Sequence, residues 1–138
     1  MFFNKEKKNE GTNFNLIKIT ALLIHAAKID EKYTYKEEEI IEKTLLDLGA
    51  NHNELETLIS KAKQNEENAN QILDFTKEIK NLEEINKIKI IKSLWRIIYS
   101  NKDADIYEAN LMRRLSGLLY IDSKTMGDIK EQIKKENL

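Results

Sequence analysis

The chain of 138 residues has no cysteine and no proline, and only four glycines. Without cysteine there can be no disulfide, no thiolate metal site and no cysteine nucleophile. Without proline and with so little glycine, the sharp turns of a β-rich or loop-rich fold lack their usual residues, whereas helices joined by short connections do not need them. An excess of one charge is missing too: 23 Lys and Arg stand against 24 Asp and Glu, for a net charge of -1. A nucleic-acid partner is therefore not expected, since such binders ordinarily carry a basic excess or a basic face. No apolar run approaches the ~20 residues needed to span a bilayer, so membrane insertion is not expected. Met1-Phe2-Phe3 runs into a charged stretch from Asn4 to Glu10 and does not have the layout of a signal peptide, which makes a cytoplasmic protein the plain expectation.

What is present is charge at helical spacing. Charged residues make up 34% of the chain, well above the roughly 25% of ordinary domains. Lys77, Lys80, Lys87, Lys89 and Lys92 alternate with Glu78, Glu83 and Glu84, as on a solvated helix surface. Residues 1–12 are expected to form a flexible polar arm, and 13–138 a single domain. Apolar stripes then predict about seven helices. The first carries Leu16, Ile19, Leu23 and Ala27, and the second Ile41, Leu45 and Leu48, closed by Gly49. Leu55, Leu58, Ile59 and Ala62 mark the third, and Ile72, Phe75 and Ile79 a short fourth. The fifth is long, with Ile85, Ile88, Ile91, Trp95 and Ile98 on one face. Leu111, Leu115 and Leu118 belong to the sixth, and Met126, Ile129 and Ile133 to the last. Thr34 to Glu37, Asn81 to Glu84 and Asp105 to Glu108 each pair a capping residue with a glutamate three positions on, and Ser123 can cap the last helix.

An internal correspondence appears at an offset of 71 residues. Ile17 falls on Ile88, Leu23 on Leu94, Thr34 on Asp105, Glu37 on Glu108, Leu48 on Leu119 and Leu58 on Ile129. The fold expected is therefore all-α, a compact bundle whose two halves repeat one helix–acidic turn–helix unit, with the fourth helix as connector.

The residues at these turns resemble the TerB-like family, which takes in tellurite-resistance proteins and the N-terminal domain of the co-chaperone DjlA. The first copy reads Ala26-Ala27-Lys28-Ile29-Asp30-Glu31, then Tyr33-Thr34-Tyr35-Lys36-Glu37-Glu38. The second reads Leu94-Trp95-Arg96 through Asn101-Lys102-Asp103-Ala104-Asp105-Ile106-Tyr107-Glu108 to Arg113-Arg114. The likeness runs from about Leu16 to Ile133. The family's Asp-Gly is replaced by Asp30-Glu31 in one turn and by Asn101-Lys102 in the other. The resemblance implies an all-helical module in a stress or tellurite- and metal-resistance setting. It also implies protein partners, a place beside inner-membrane complexes without insertion, and acidic residues proposed to hold a cation.

A hard cation such as calcium needs six to eight oxygens converging on one point. Asn101, Asp103 and Asp105 have the spacing that opens an EF-hand loop, but the sixth position is Ile106 and the twelfth Met112, so this is not an EF-hand. If the two turns lie side by side, a divalent cation would take Asp30, Glu37, Asp105 and Glu108. The competing reading is that Thr34 and Asp105 cap their helices and the glutamates complement the helix dipole. His25 and His52 lack a partner at i+4 and are not expected to bind zinc. Trp95 is expected in the core beside Ile91 and Ile98, while Arg96, Arg113 and Arg114 could form a small basic patch. Tyr33, Tyr35, Tyr99, Tyr107 and Tyr120 gather near the turns, either rimming a groove or closing helix corners. No phosphate loop, nucleophile elbow or serine–histidine arrangement is found, and no enzymatic role is expected.

Overall fold

The computed structural model describes the backbone of residues 2–29, 34–69, 71–100 and 106–136, and the side chains within those spans from residue 15 onward, except 106 and 107. Among them are seven α-helices: α1 (Phe2–Lys28), α2 (Tyr35–Asp47), α3 (Leu55–Asn68), α4 (Leu73–Ile79), α5 (Glu84–Tyr99), α6 (Ile106–Leu118) and α7 (Ser123–Glu136). A single 3₁₀ turn, His52–Glu54, leads into α3. The described residues are all-α, as expected from the composition, and none of these helices is long and apolar enough to cross a membrane.

Two helices form the centre. Between Ile19 and Ala27 of α1 every residue except His25 is buried, and from Ile90 to Tyr99 of α5 every residue except Lys92 and Arg96 is buried. A helix apolar on nearly all sides must be enclosed, because a one-sided stripe would leave the rest in water. Accordingly α1 packs on α2, α3, α4 and α5, while α5 packs on α1, α2 and α7. The short α4 joins the halves: it lies against α1 and α6, and Phe75 is almost wholly enclosed. Polar groups caught between the helices find partners, as burial demands. The Thr44 and Ser93 hydroxyls meet between α2 and α5, and the buried Thr20 hydroxyl donates to the Leu16 carbonyl at 2.6 Å.

The helix ends follow from local chemistry. Thr34 caps α2 with a full capping box. Gly49, at φ 105°, takes the left-handed position after α2, where its N–H donates to the Leu46 carbonyl (3.1 Å) and the Ala50 N–H to that of Leu45 (2.9 Å). This is the paired arrangement that satisfies a helix's last carbonyls. The end of α6 is built the same way, with Tyr120 N–H to Gly117 (3.3 Å) and Ile121 N–H to Ser116 (2.9 Å). Here, however, Tyr120 holds φ 56°. A side chain in that conformation costs roughly 1–2 kcal/mol that glycine avoids.

Shifted by 71 residues, α2 falls on α6 end for end, the last residue of α1 on that of α5, and Gly49 on Tyr120.

Several boundaries differ from expectation. The backbone of 2–12, expected as an arm, is helical and continuous with α1. Its lysines and glutamates favour helix, and Gly11 alone, at about 1 kcal/mol, does not stop one already nucleated by the packed segment behind it. The fifth helix is preceded by Glu83 in the cap position, not Asn81, so Ile85 sits in the exposed first turn instead of on the buried face. α7 begins at Ser123 itself, which moves the cap position to Asp122. The capped start proposed at Asp105 lies outside the described residues.

Candidate functional site

The acidic turn between α1 and α2 is organised around Glu37. Its Oε1 accepts from both the Thr34 backbone N–H and the Thr34 hydroxyl, each at 2.9 Å. The Thr34 hydroxyl oxygen in return accepts from the Glu37 N–H at 3.2 Å. This reciprocal pattern secures donors that a helix start leaves without partners, and it places a negative charge at the positive end of the dipole. Only 1% of Glu37 is exposed. Glu108, the corresponding third residue of α6, is 5% exposed. Glutamate is rarely so enclosed unless paired, which sets these two matched carboxylates apart from the exposed glutamates of the surface.

Of the four residues expected around a cation, Glu37 and Glu108 are thus each placed in the first turn of a helix that follows a central one. Asp30 and Asp105 lie outside the described residues, as do Glu31, Asp103 and the second-turn Asn101. Among the described residues no three of His, Cys, Asp and Glu are grouped so as to hold a metal.

The histidines serve other purposes. His25 Nδ1 lies 3.4 Å from Glu66 Oε1 on α3, and its ring is tilted against Phe75 at 6.2 Å. Lys28 reaches the other oxygen of the same carboxylate at 2.8 Å. His52 stands exposed in the 3₁₀ turn, on a different element. Trp95 is in the core, stacked on Tyr99 at 5.8 Å, with the Lys130 ammonium 5.5 Å from its ring.

The three arginines expected in a basic patch lie on two helices. Arg96 donates through two nitrogens to both Glu136 oxygens, each at 3.2 Å, and so ties α5 to α7. That contact holds the Glu136 carboxyl below its ordinary range. Arg113 and Arg114 are exposed on α6. Of the described tyrosines, Tyr99 is buried while Tyr35 and Tyr120 stand in solvent.

Sequence reasoning missed the contacts between helices distant in the chain. Glu66 gathers two side chains from α1, Lys18 donates to Asn65 across the same interface at 2.8 Å, and the largely buried Lys87 donates to the Leu119 carbonyl at 3.0 Å. No spacing signals any of these, because each joins residues more than thirty positions apart.

The arrangement defines a class first: an all-helical domain in which two buried helices are each followed by a helix whose first turn encloses a glutamate. Its sequence matches the family described as tellurite resistance protein TerB over residues 16–131. The match covers most of the chain, and the protein belongs to that family. No curated protein and no solved structure matches it.

Proposed function

We propose that the domain is a non-enzymatic module that works by binding other proteins in a tellurite- or metal-resistance setting. The family match over most of the chain carries this reading. The use of Glu37 as a capping residue supports it, since that carboxylate is committed to its own helix start. We read the two halves as copies of one unit, on the strength of helix ends and closing turns that recur at a single offset. The proposed setting is the cytoplasm, beside inner-membrane complexes but not inserted in them, with protein and not nucleic-acid partners. The test is recovery of the tagged, cross-linked chain from its host, grown with and without sublethal tellurite. A protein recovered in stoichiometric amount, together with raised tellurite sensitivity when the gene is deleted, is the expected result. A chain recovered alone, from a strain whose tolerance does not depend on it, overturns the reading.

A second reading makes the domain a weak divalent-cation-binding regulator through Asp30, Glu37, Asp105 and Glu108. The observation favouring it is that Glu37 and Glu108 are both enclosed at matched positions. Calorimetric titration with calcium, magnesium, manganese and zinc, with Asp30→Ala and Asp105→Ala as controls, decides it. Absence of heat and of thermal stabilisation at millimolar ion removes this reading, because a ligand that binds only the native state must stabilise it.

A further inference from the structure

Tyr120 stands in the left-handed position that α2 gives to Gly49, and 71% of it is exposed. The Lys87 ammonium lies 5.8 Å from the ring centre and accounts for one face of the tyrosine. With most of the residue in solvent, core packing does not explain why a strained backbone position carries an aromatic residue. Persistent strain of this kind gathers at binding sites.

Beside the ring lies a groove of about 380 Å³ between α4 and the end of α6. Leu73, itself 47% exposed, and Leu118 supply its apolar lining with Tyr120, while Gly117 leaves its wall open. A Cβ built on Gly117 would meet nothing within 4 Å. The charged residues among those lining the groove are Lys77 and Lys80, and among the described residues no carboxylate lines it. In a chain where the two signs nearly cancel, an apolar groove bordered by one sign alone selects its occupant by charge. Equivalent positions in the first half are Leu46, Asp47 and Gly49, in place of Gly117, Leu118 and Tyr120. The groove is therefore not something the shared architecture requires.

We propose that this groove docks an acidic amphipathic segment of a partner protein. An apolar side chain of that segment sits among Leu73, Leu118 and Tyr120, and its carboxylates meet Lys77 and Lys80. The proposal rests on the reading that the domain works by binding proteins, and it specifies the surface and the partner chemistry.

The test uses a short fluorescein-labelled peptide with Leu and Phe at i, i+3, i+4 and i+7 and glutamate between, the pattern of a helix that lays one face in a groove. Anisotropy with the full chain is expected to show saturable binding, with a Kd on the order of 10–100 µM as befits a small transient contact. Binding should weaken with salt and vanish when lysine replaces glutamate in the peptide. Lys77→Glu combined with Lys80→Glu is expected to weaken it roughly tenfold or more. Tyr120→Gly should do the same while leaving Tm unchanged or raised, which separates lost binding from lost folding. No anisotropy change at millimolar peptide, or equal binding by the Tyr120→Gly protein, overturns the groove. So does sedimentation showing a wild-type dimer that Tyr120→Gly dissolves, because the occupant is then a second copy of this chain. A cellular partner cross-linked at another face removes the groove and leaves the proposed function standing. A chain found alone in its host removes the proposed function itself.

Discussion

Gly49 and Tyr120 close two helices of equal length with the same hydrogen bonds, yet only the first is the residue that the backbone conformation favours. The halves differ in a second matched place. His25 of the first half lies where the second has Arg96, and each uses that position to reach a glutamate on the outer helix: Glu66 on α3, Glu136 on α7. In the first half Lys28 joins as a second partner on the same carboxylate. The polar contacts that fasten the outer helices thus differ between the two sides. Chemistry particular to one half is where function is to be sought.

Four experiments bear on that comparison. The largest effect belongs to the shared centre: Leu23 and Leu94 are matched and fully enclosed, and replacing either with alanine should cost about 2–5 kcal/mol. Urea unfolding should show one transition for each variant. Two separated transitions, with only the mutated half weakened, would mean that the halves fold independently, contrary to the packing of α1 on α5. Next come the closing turns. Gly49→Ala should destabilise by roughly 1–2 kcal/mol, while Tyr120→Gly should be neutral or stabilising by up to about 1 kcal/mol. Changes of the same sign in the two Tm values would break the contrast.

Third is the cap of α2. Thr34→Ala removes the capping hydroxyl and should cost about 0.5–2 kcal/mol by thermal or urea unfolding, with Thr34→Ser retaining most of the stability. The smallest effect is the Arg96–Glu136 tie, an exposed pair for which at most about 1 kcal/mol is expected. The native contact lowers the Glu136 pKa, so the native state binds its proton less readily than the unfolded chain. Its contribution is full above the ordinary carboxylate value of 4.5 and fades as pH falls through the depressed native value. A Glu136→Gln protein should be slightly less stable than wild type at neutral pH and converge with it in acid. A gap that persists unchanged to the lowest pH at which the fold survives would show that packing and not charge holds α7.

Much of this organisation was legible in the residues because it is local or periodic. Burial every three or four positions located the helices, Gly49 announced its turn, and Thr34 with Glu37 announced the cap. The burial of Trp95 followed from its neighbours Ile91 and Ile98. Less was legible where an end depends on competing choices: Asn81 and Glu83 are both near the start of α5, and the periodic pattern extended to Ile85 although the first turn is in solvent. The joining of Glu66 to His25 and Lys28, and of Lys87 to the end of α6, depends on which helices become neighbours. Of the candidate cation ligands, sequence indicated Glu37 and Glu108 by their place in a capped turn, but not that both would be enclosed. The left-handed Tyr120 had one signal, its place 71 residues after Gly49, but the residue type itself argues against that conformation.

Two glycines inside helices carry a different lesson. Gly117 in α6 and Gly127 in α7 both have open space where a Cβ would stand. Alanine at such a place commonly firms a helix by about 0.5–1 kcal/mol. The domain is therefore less rigid than its own backbone would permit, at two sites one substitution away from improvement. Such slack is ordinary where selection asks only for enough stability, but it has a sharper meaning where a small residue keeps a surface open. Gly127 lies outside the residues lining the groove, and Gly117 is part of its wall. A population evolving under heat alone should fix alanine at both, whereas one that must also keep its partner should accept the change at Gly127 and refuse it at Gly117.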